Sequence, residues 1–150
     1  MSPKFSLQNV LDFRHGKVEL LEIELGKLLA AHQETQALFA SLQEYQAGLL
    51  EQLRVTQSDE IDLVKMNLLR LNVLQVGKHI GMVLLELKKQ VREIDAKRTE
   101  MIKAKQSEET LEILKRNRYE VYLAEQVQIE SQAQDDIYIT RAFRNQQQGA

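Results

Sequence analysis

The side chains able to do chemistry are few and far apart. His15, His32 and His79 are the only histidines and cysteine is absent, so thiolate nucleophiles and disulfides are excluded. A structural zinc site needs four ligands, and even His32 and His79 together would lack the third and fourth. If the chain doubles back on itself, only His32 and His79 approach the same height. There they would form a polar layer with Thr35, the kind of insertion that fixes helix register at some cost in stability. The acidic pairs Asp59-Glu60, Glu108-Glu109 and Asp135-Asp136 lie on solvated faces, where no pocket shifts a carboxyl toward general acid or base work. Gly77 and Gly81 lack the following Gly-Lys-Ser/Thr that would cradle a phosphate, so the chain is not expected to hydrolyse ATP. No catalytic residue, cofactor or metal is expected, and the protein does not read as an enzyme.

Charge excludes two further classes. With 20 basic against 22 acidic residues the balance gives no general pull toward nucleic acid or an anionic membrane. The runs Lys88-Lys89 and Lys115-Arg116 with Arg118 are short and interrupted by acids, as in helix-surface ion pairs. Amphipathic membrane binding is expected to be weak, since polar faces are acidic as often as basic. The longest continuous apolar run, Met82-Val83-Leu84-Leu85, is far below the roughly 20 residues of a bilayer span, and Met1 to Phe13 lacks the apolar region of a leader. A soluble, cytoplasmic protein without direct membrane insertion is expected.

What remains is spacing. Between Leu11 and Leu53 apolar residues recur at alternating steps of three and four, through Val18, Leu21, Leu25, Leu28, Phe39, Leu42 and Leu49. Arg14, His32, Thr35 and Gln46 are the exceptions on that ladder. A repeat averaging 3.5 residues keeps one narrow stripe on one side of a helix, which a partner helix can cover. With four Phe, four Tyr and no Trp, the composition also favours a coiled coil over a compact core.

The elements follow from that stripe. Pro3 lies where a helix can begin, and arm one runs from about 5 to 55. The polar segment 56–60 is the plausible turn, with Ser58 capping a second helix whose first turn carries Asp59, Glu60 and Asp62. Arm two, about 61 to 144, has its own ladder at Ile80, Leu84, Leu87, Val91, Ile94, Arg98 and Met101, extended upstream by Val64, Leu68 and Leu71. Reversal near residue 57 makes facing residue numbers add to about 114, which sets Leu42 near Leu71, Leu28 near Leu87 and Phe5 near Glu109. Residues after about 110 would then have no partner within the chain. The fold expected is all-α: a single domain, 1–150, forming a long antiparallel two-helix coiled-coil hairpin with a C-terminal helical overhang. The alternative is a break at Gly77 or Gly81 that folds the overhang back.

At the chain's beginning, Phe5-Ser6-Leu7-Gln8-Asn9-Val10-Leu11-Asp12-Phe13-Arg14 resembles the F-x-L-x-x-V-L-x-x-R start of the flagellar export protein FliJ family. Leu111-Glu112-Ile113-Leu114-Lys115-Arg116-Asn117-Arg118, followed by Asp135-Asp136-Ile137 and Arg141, is similar to that family's L-x-x-L-K-x-x-R and terminal D-E-x-x-x-x-R. Gln128, Ser131 and Gln132 depart from the usual terminal pattern.

The resemblance implies a component of the flagellar protein export apparatus, a type III secretion machinery serving flagellum biogenesis and motility. The family looks like a rotary-ATPase stalk: a coiled coil that binds a hexameric export ATPase, promotes its assembly, and reaches the cytoplasmic linker of the membrane export gate. It implies a location in the cytoplasm, peripheral at the flagellar basal body. On this chain the gate-facing patch would be Leu42, Tyr45 and Val76, with Asn72 and His79 where an aromatic and a small residue are usual. Tyr45 is either part of that patch or only a shoulder of the seam. The ring-facing set would be Leu111, Leu114, Arg118, Val121, Tyr122, Ile129, Asp135 and Arg141. Two other functions fit the same helices: an export chaperone for flagellar substrates, and a structural coiled-coil homodimer.

Overall fold

A computed structural model of the chain describes residues 4–58 and 62–149. The described residues are all-α, with helix α1 at Gln8–Ser58 and helix α2 at Leu63–Gln148, and no strand among them. Pro3 and Asp59-Glu60 lie outside the described residues. Thr56 to Ser58, expected to begin the turn, instead complete α1, where the Ser58 hydroxyl donates to the Val55 carbonyl at 2.9 Å. The cap of α2 is therefore Asp62: its Oδ1 accepts from the backbone N–H groups of Val64 at 3.1 Å and Lys65 at 3.3 Å. A carboxylate there satisfies orphan donors and suits the positive end of the helix dipole, which a serine one turn too early could not do.

Neither helix breaks at glycine. Gly77 and Gly81 lie inside α2, and no glycine takes a positive φ among the described residues. Gly77 is the position of close approach: a Cβ there would stand 3.5 Å from the Gln46 side-chain nitrogen of α1.

The chain divides into two compact units, residues 18–103 and residues 1–17 with 104–150. In the unit of residues 18–103 the helices pack antiparallel along one seam. Arm one behaves as its spacing demands, since every ladder position there is buried or half-buried, including the polar His32, Thr35 and Gln46. Arm two differs. Ile80, Leu87, Ile94 and Met101 do face the seam, but between them the covered positions are Val83, Gln90 and Lys97, while Leu84, Val91 and Arg98 are exposed. Val64, Leu68 and Leu71 are exposed too, and Met66 and Leu69 are buried in their place. The reason lies in adjacent candidates: Val91 is more apolar than the covered Gln90 beside it, while Leu84 beside Val83 and Arg98 beside Lys97 differ too little in character for spacing to separate them.

Register is corrected with them. Glu24 pairs with Lys97 and His32 with Gln90, so facing numbers add to 121 and 122, not 114. Lys97 Nζ lies 2.9 Å from Glu24 Oε2 and 3.6 Å from Glu100 Oε2. The hydrogen bond to Glu24 holds the ammonium above its usual range. The polar layer exists, but without His79, which is exposed. His32 Nδ1 lies 3.1 Å from Gln90 Oε1, and Gln90 Nε2 donates to Thr35 Oγ1 at 2.9 Å. Thr35 Oγ1 in turn donates to the Ala31 carbonyl at 2.9 Å. Donors and acceptors run in one direction along this chain, which assigns the proton to His32 Nδ1. Gln90, 8% exposed, is thus fully partnered. Either side of it, Val18, Leu21, Leu49, Met66, Leu69, Val83 and Ile94 are buried, each contributing about 1.5–3 kcal/mol.

In the other unit, Leu11 of α1 and Ala104 and Leu111 of α2 are buried. Arg14 Nη1 donates to the Ser107 carbonyl at 2.8 Å, and His15 Nδ1 meets Glu108 Oε1 at 2.6 Å. Arg118 Nη1 donates to Ser6 Oγ at 2.9 Å, and its guanidinium stacks 5.5 Å from the centre of the Phe5 ring. Phe5 therefore meets residue 118 and not 109. Pairing extends about two turns past the expected limit near 110, through Leu114 to Arg118.

Candidate partner-binding surfaces

The seam decides what each side chain can offer a partner. In heptad terms, α1 places Phe39 and Gln46 at a and Leu42 at d, and α2 places Val73 and Ile80 at a and Val76 at d. Leu42 and Val76 are half-buried seam residues, so most of their surface supports the pairing itself. Tyr45 precedes an a position and is 56% exposed. Asn72 and His79 also precede a positions and are exposed. In an antiparallel pair such positions share one flank of both helices, so Tyr45, Asn72 and His79 belong to one surface at neighbouring heights. Leu38, one heptad before Tyr45 and exposed, joins the same flank. Its signal in the sequence was the seven-residue spacing to Tyr45.

The ring-facing set separates into two kinds. Leu111 is 6% exposed and Leu114 is half-buried, both covered within their own unit. Arg118 is engaged with Ser6 and Phe5. Tyr122 is half-buried with its ring 6.4 Å from that of Tyr119. A groove of about 570 Å³ opens there between Lys4, Phe5 and Leu11 on one side and Arg118, Tyr119 and Tyr122 on the other. Val121, Ile129, Asp135 and Arg141 are exposed, and from Leu123 to Gly149 every described residue is exposed. That stretch carries Val127, Ile137, Tyr138, Ile139 and Phe143, which the expected set omitted although their apolar character was visible. Their raggedness hid them: they do not form one stripe at helical period.

Among the described residues no group of three or more His, Asp or Glu could hold a metal ion. The side-chain ion pairs are structural, as in Arg54, whose guanidinium donates to both Glu51 carboxylate oxygens at 2.6 and 3.1 Å. That contact holds the Glu51 carboxyl below its ordinary range.

Comparison with known proteins agrees with this architecture. The family model described as flagellar FliJ protein matches residues 3–148. No curated protein and no solved structure matches the chain. That family is one of export components rather than known enzymes. A family match across nearly all 150 residues, in a chain whose described residues form two long helices, leads to one assignment: the chain belongs to the flagellar FliJ protein family, a component of flagellar export.

Proposed function

We propose that this protein is a non-enzymatic, stalk-like subunit that binds the hexameric export ATPase, favours its assembly, and contacts the cytoplasmic linker of the export gate. The observation that carries the ATPase contact is the run of exposed apolar residues from Val121 to Phe143 on α2. So much exposed apolar helix surface favours burial against another protein. Val121 and Ile129 stay in the ring-facing set; Leu111 and Leu114 serve it by holding the helix in place. The flank of Tyr45 is the gate-facing surface, with Leu42 and Val76 setting its backbone. The protein would then act in the cytoplasm, peripheral at the basal body, where export chaperones are further candidate partners.

The test adds the full chain to the export ATPase and follows turnover together with the hexamer population. Both should rise, and Val121→Asp with Ile129→Asp should abolish the rise while leaving helicity unchanged. No change in either quantity with the unaltered chain would remove the stalk reading. For the gate, Tyr45→Ala with Val76→Ala should weaken binding to the linker; unchanged affinity removes that patch. The same exposed run also fits a homodimer, which light scattering over a concentration range would reveal as a doubling of mass.

A further inference from the structure

Within the unit of residues 18–103, the side of α2 facing away from the seam is largely apolar between residues 64 and 85, where a coiled coil is ordinarily polar. Val64, Leu68, Leu71, Leu74, Met82 and Leu85 occupy the outward b, c and f positions, and each is between 56% and 71% exposed. At about 100° per residue they centre roughly half a turn from the buried Leu69, Val83 and Ile94. Helix α2 also passes for a membrane span by length and composition, with 11% of the qualifying 18-residue window buried. Counting uninterrupted apolar residues missed it, because Arg70 and Lys78 divide residues 68–85.

Charge over the same stretch is one-sided. At the outward positions of residues 63–89 stand Lys78, Lys88 and Lys89 and no acid, while Lys65, Arg70 and Glu86 flank the seam, in a chain whose net charge is −2. Lys89 lies 3.8 Å from Glu93, a weak exposed pair. The near-neutral whole chain therefore conceals a locally cationic face, and the balance that argued against a membrane does not hold here.

We propose that this face of α2 lies on an anionic lipid surface. A third helix would settle in a groove where it could touch both helices, whereas an occupant of this stripe touches α2 alone, as a flat surface does. A second copy is disfavoured in the symmetric arrangement because the outward cations Lys78, Lys88 and Lys89 would meet cations of like sign. It is disfavoured in the head-to-tail arrangement because the α1 outer face at these heights has Ala, Gly, Ser, Glu and Arg with Val55 its one exposed branched apolar residue, too little to cover the leucines. Spanning is disfavoured because α1 would have to follow its partner into hydrocarbon with Glu34, Glu44 and Glu51. Adsorption needs neither: the leucines and Met82 enter the acyl boundary while Lys78 extends its ammonium to the headgroups. The proposal does not rest on the export-apparatus function, and its test contains no ATPase.

The test is flotation of the full chain with vesicles of phosphatidylcholine alone and of phosphatidylcholine with phosphatidylglycerol. Binding is expected only to the anionic vesicles and should fall with salt. Leu71→Glu with Leu85→Glu should reduce it more than about ten-fold, Lys78→Glu by at least about five-fold, and Ala40→Glu on the exposed outer face of α1 should leave it unchanged. Circular dichroism checks that each variant stays helical, and Lys78→Glu carries the test if the double variant does not fold. Failure to bind anionic vesicles, or equal binding by the stripe variants, overturns the proposal. So does stripe-dependent binding of an acidic amphipathic peptide, or stripe-dependent dimerisation, by a protein that ignores vesicles.

Discussion

The outer faces of the two helices, at the same heights of the unit formed by residues 18–103, have opposite characters. On α1, positions 33–51 turn Gln33, Glu34, Ala37, Ala40, Ser41, Glu44, Ala47, Gly48 and Glu51 outward, while on α2 the matching positions, about 71–89, turn out chiefly leucine, methionine and lysine. Both faces ride on one shared seam, so pairing cannot account for the difference. A seam fixes which residues are covered and leaves the far side of each helix free to be composed for something else. The contrast therefore carries information about partners, provided that stability resides in the seam.

The sharpest way to break the comparison is to move the cost. Leu21→Ala in the seam should destabilise the protein by about 2–5 kcal/mol in urea unfolding, while Leu71→Ala on the outer face should stay within about 0.5 kcal/mol. Equal losses would mean that the outer leucines are structural. Next in size, Gln90→Ala leaves His32 Nδ1 without its acceptor and should cost about 1–3 kcal/mol; replacing Glu86, exposed one turn away, should cost almost nothing by the same measurement. Asp62→Ala removes the cap of α2 and should lower stability by about 0.5–2 kcal/mol, with Asp62→Asn retaining most of it.

The smallest effects are those of pH. Lys97 is raised above its ordinary 10.5, so the stability it contributes is fully present below that pH and is lost as pH rises through the folded-state value. Glu51, on the outer face of α1, is lowered below 4.5, so its contribution is present above that pH and disappears as pH falls through the folded-state value. Melting curves should show a slight loss at each extreme. Lys97→Met should remove the alkaline loss and Glu51→Gln the acidic one.

Arm one was legible in full because its ladder tolerates four polar residues without offering a competing stripe. Arm two was half legible. Every seventh residue from Ile80 to Met101 was right, but between them Leu84 stood in for its neighbour Val83 and Val91 for Gln90, and the upstream leucines belonged to the outer face. The displaced register has the same origin, together with a turn placed on Ser58 where Asp62 caps. Of the candidate surfaces, the exposure of Tyr45 followed directly from its place beside Gln46. The burial of Leu111 and the Phe5–Arg118 contact did not, since both depend on a register that only the paired structure supplies.

A zipper of identical teeth closes equally well one notch up or down. Slide α1 by a single heptad and His32 would meet Val83 or Lys97 in place of Gln90, an imidazole against hydrocarbon or against a cation. That glutamine, with the Lys97–Glu24 pair one heptad along, gives a repetitive structure an address, and the neighbour pairings between the strands of that unit, the company Tyr45 keeps included, inherit their alignment from the two together.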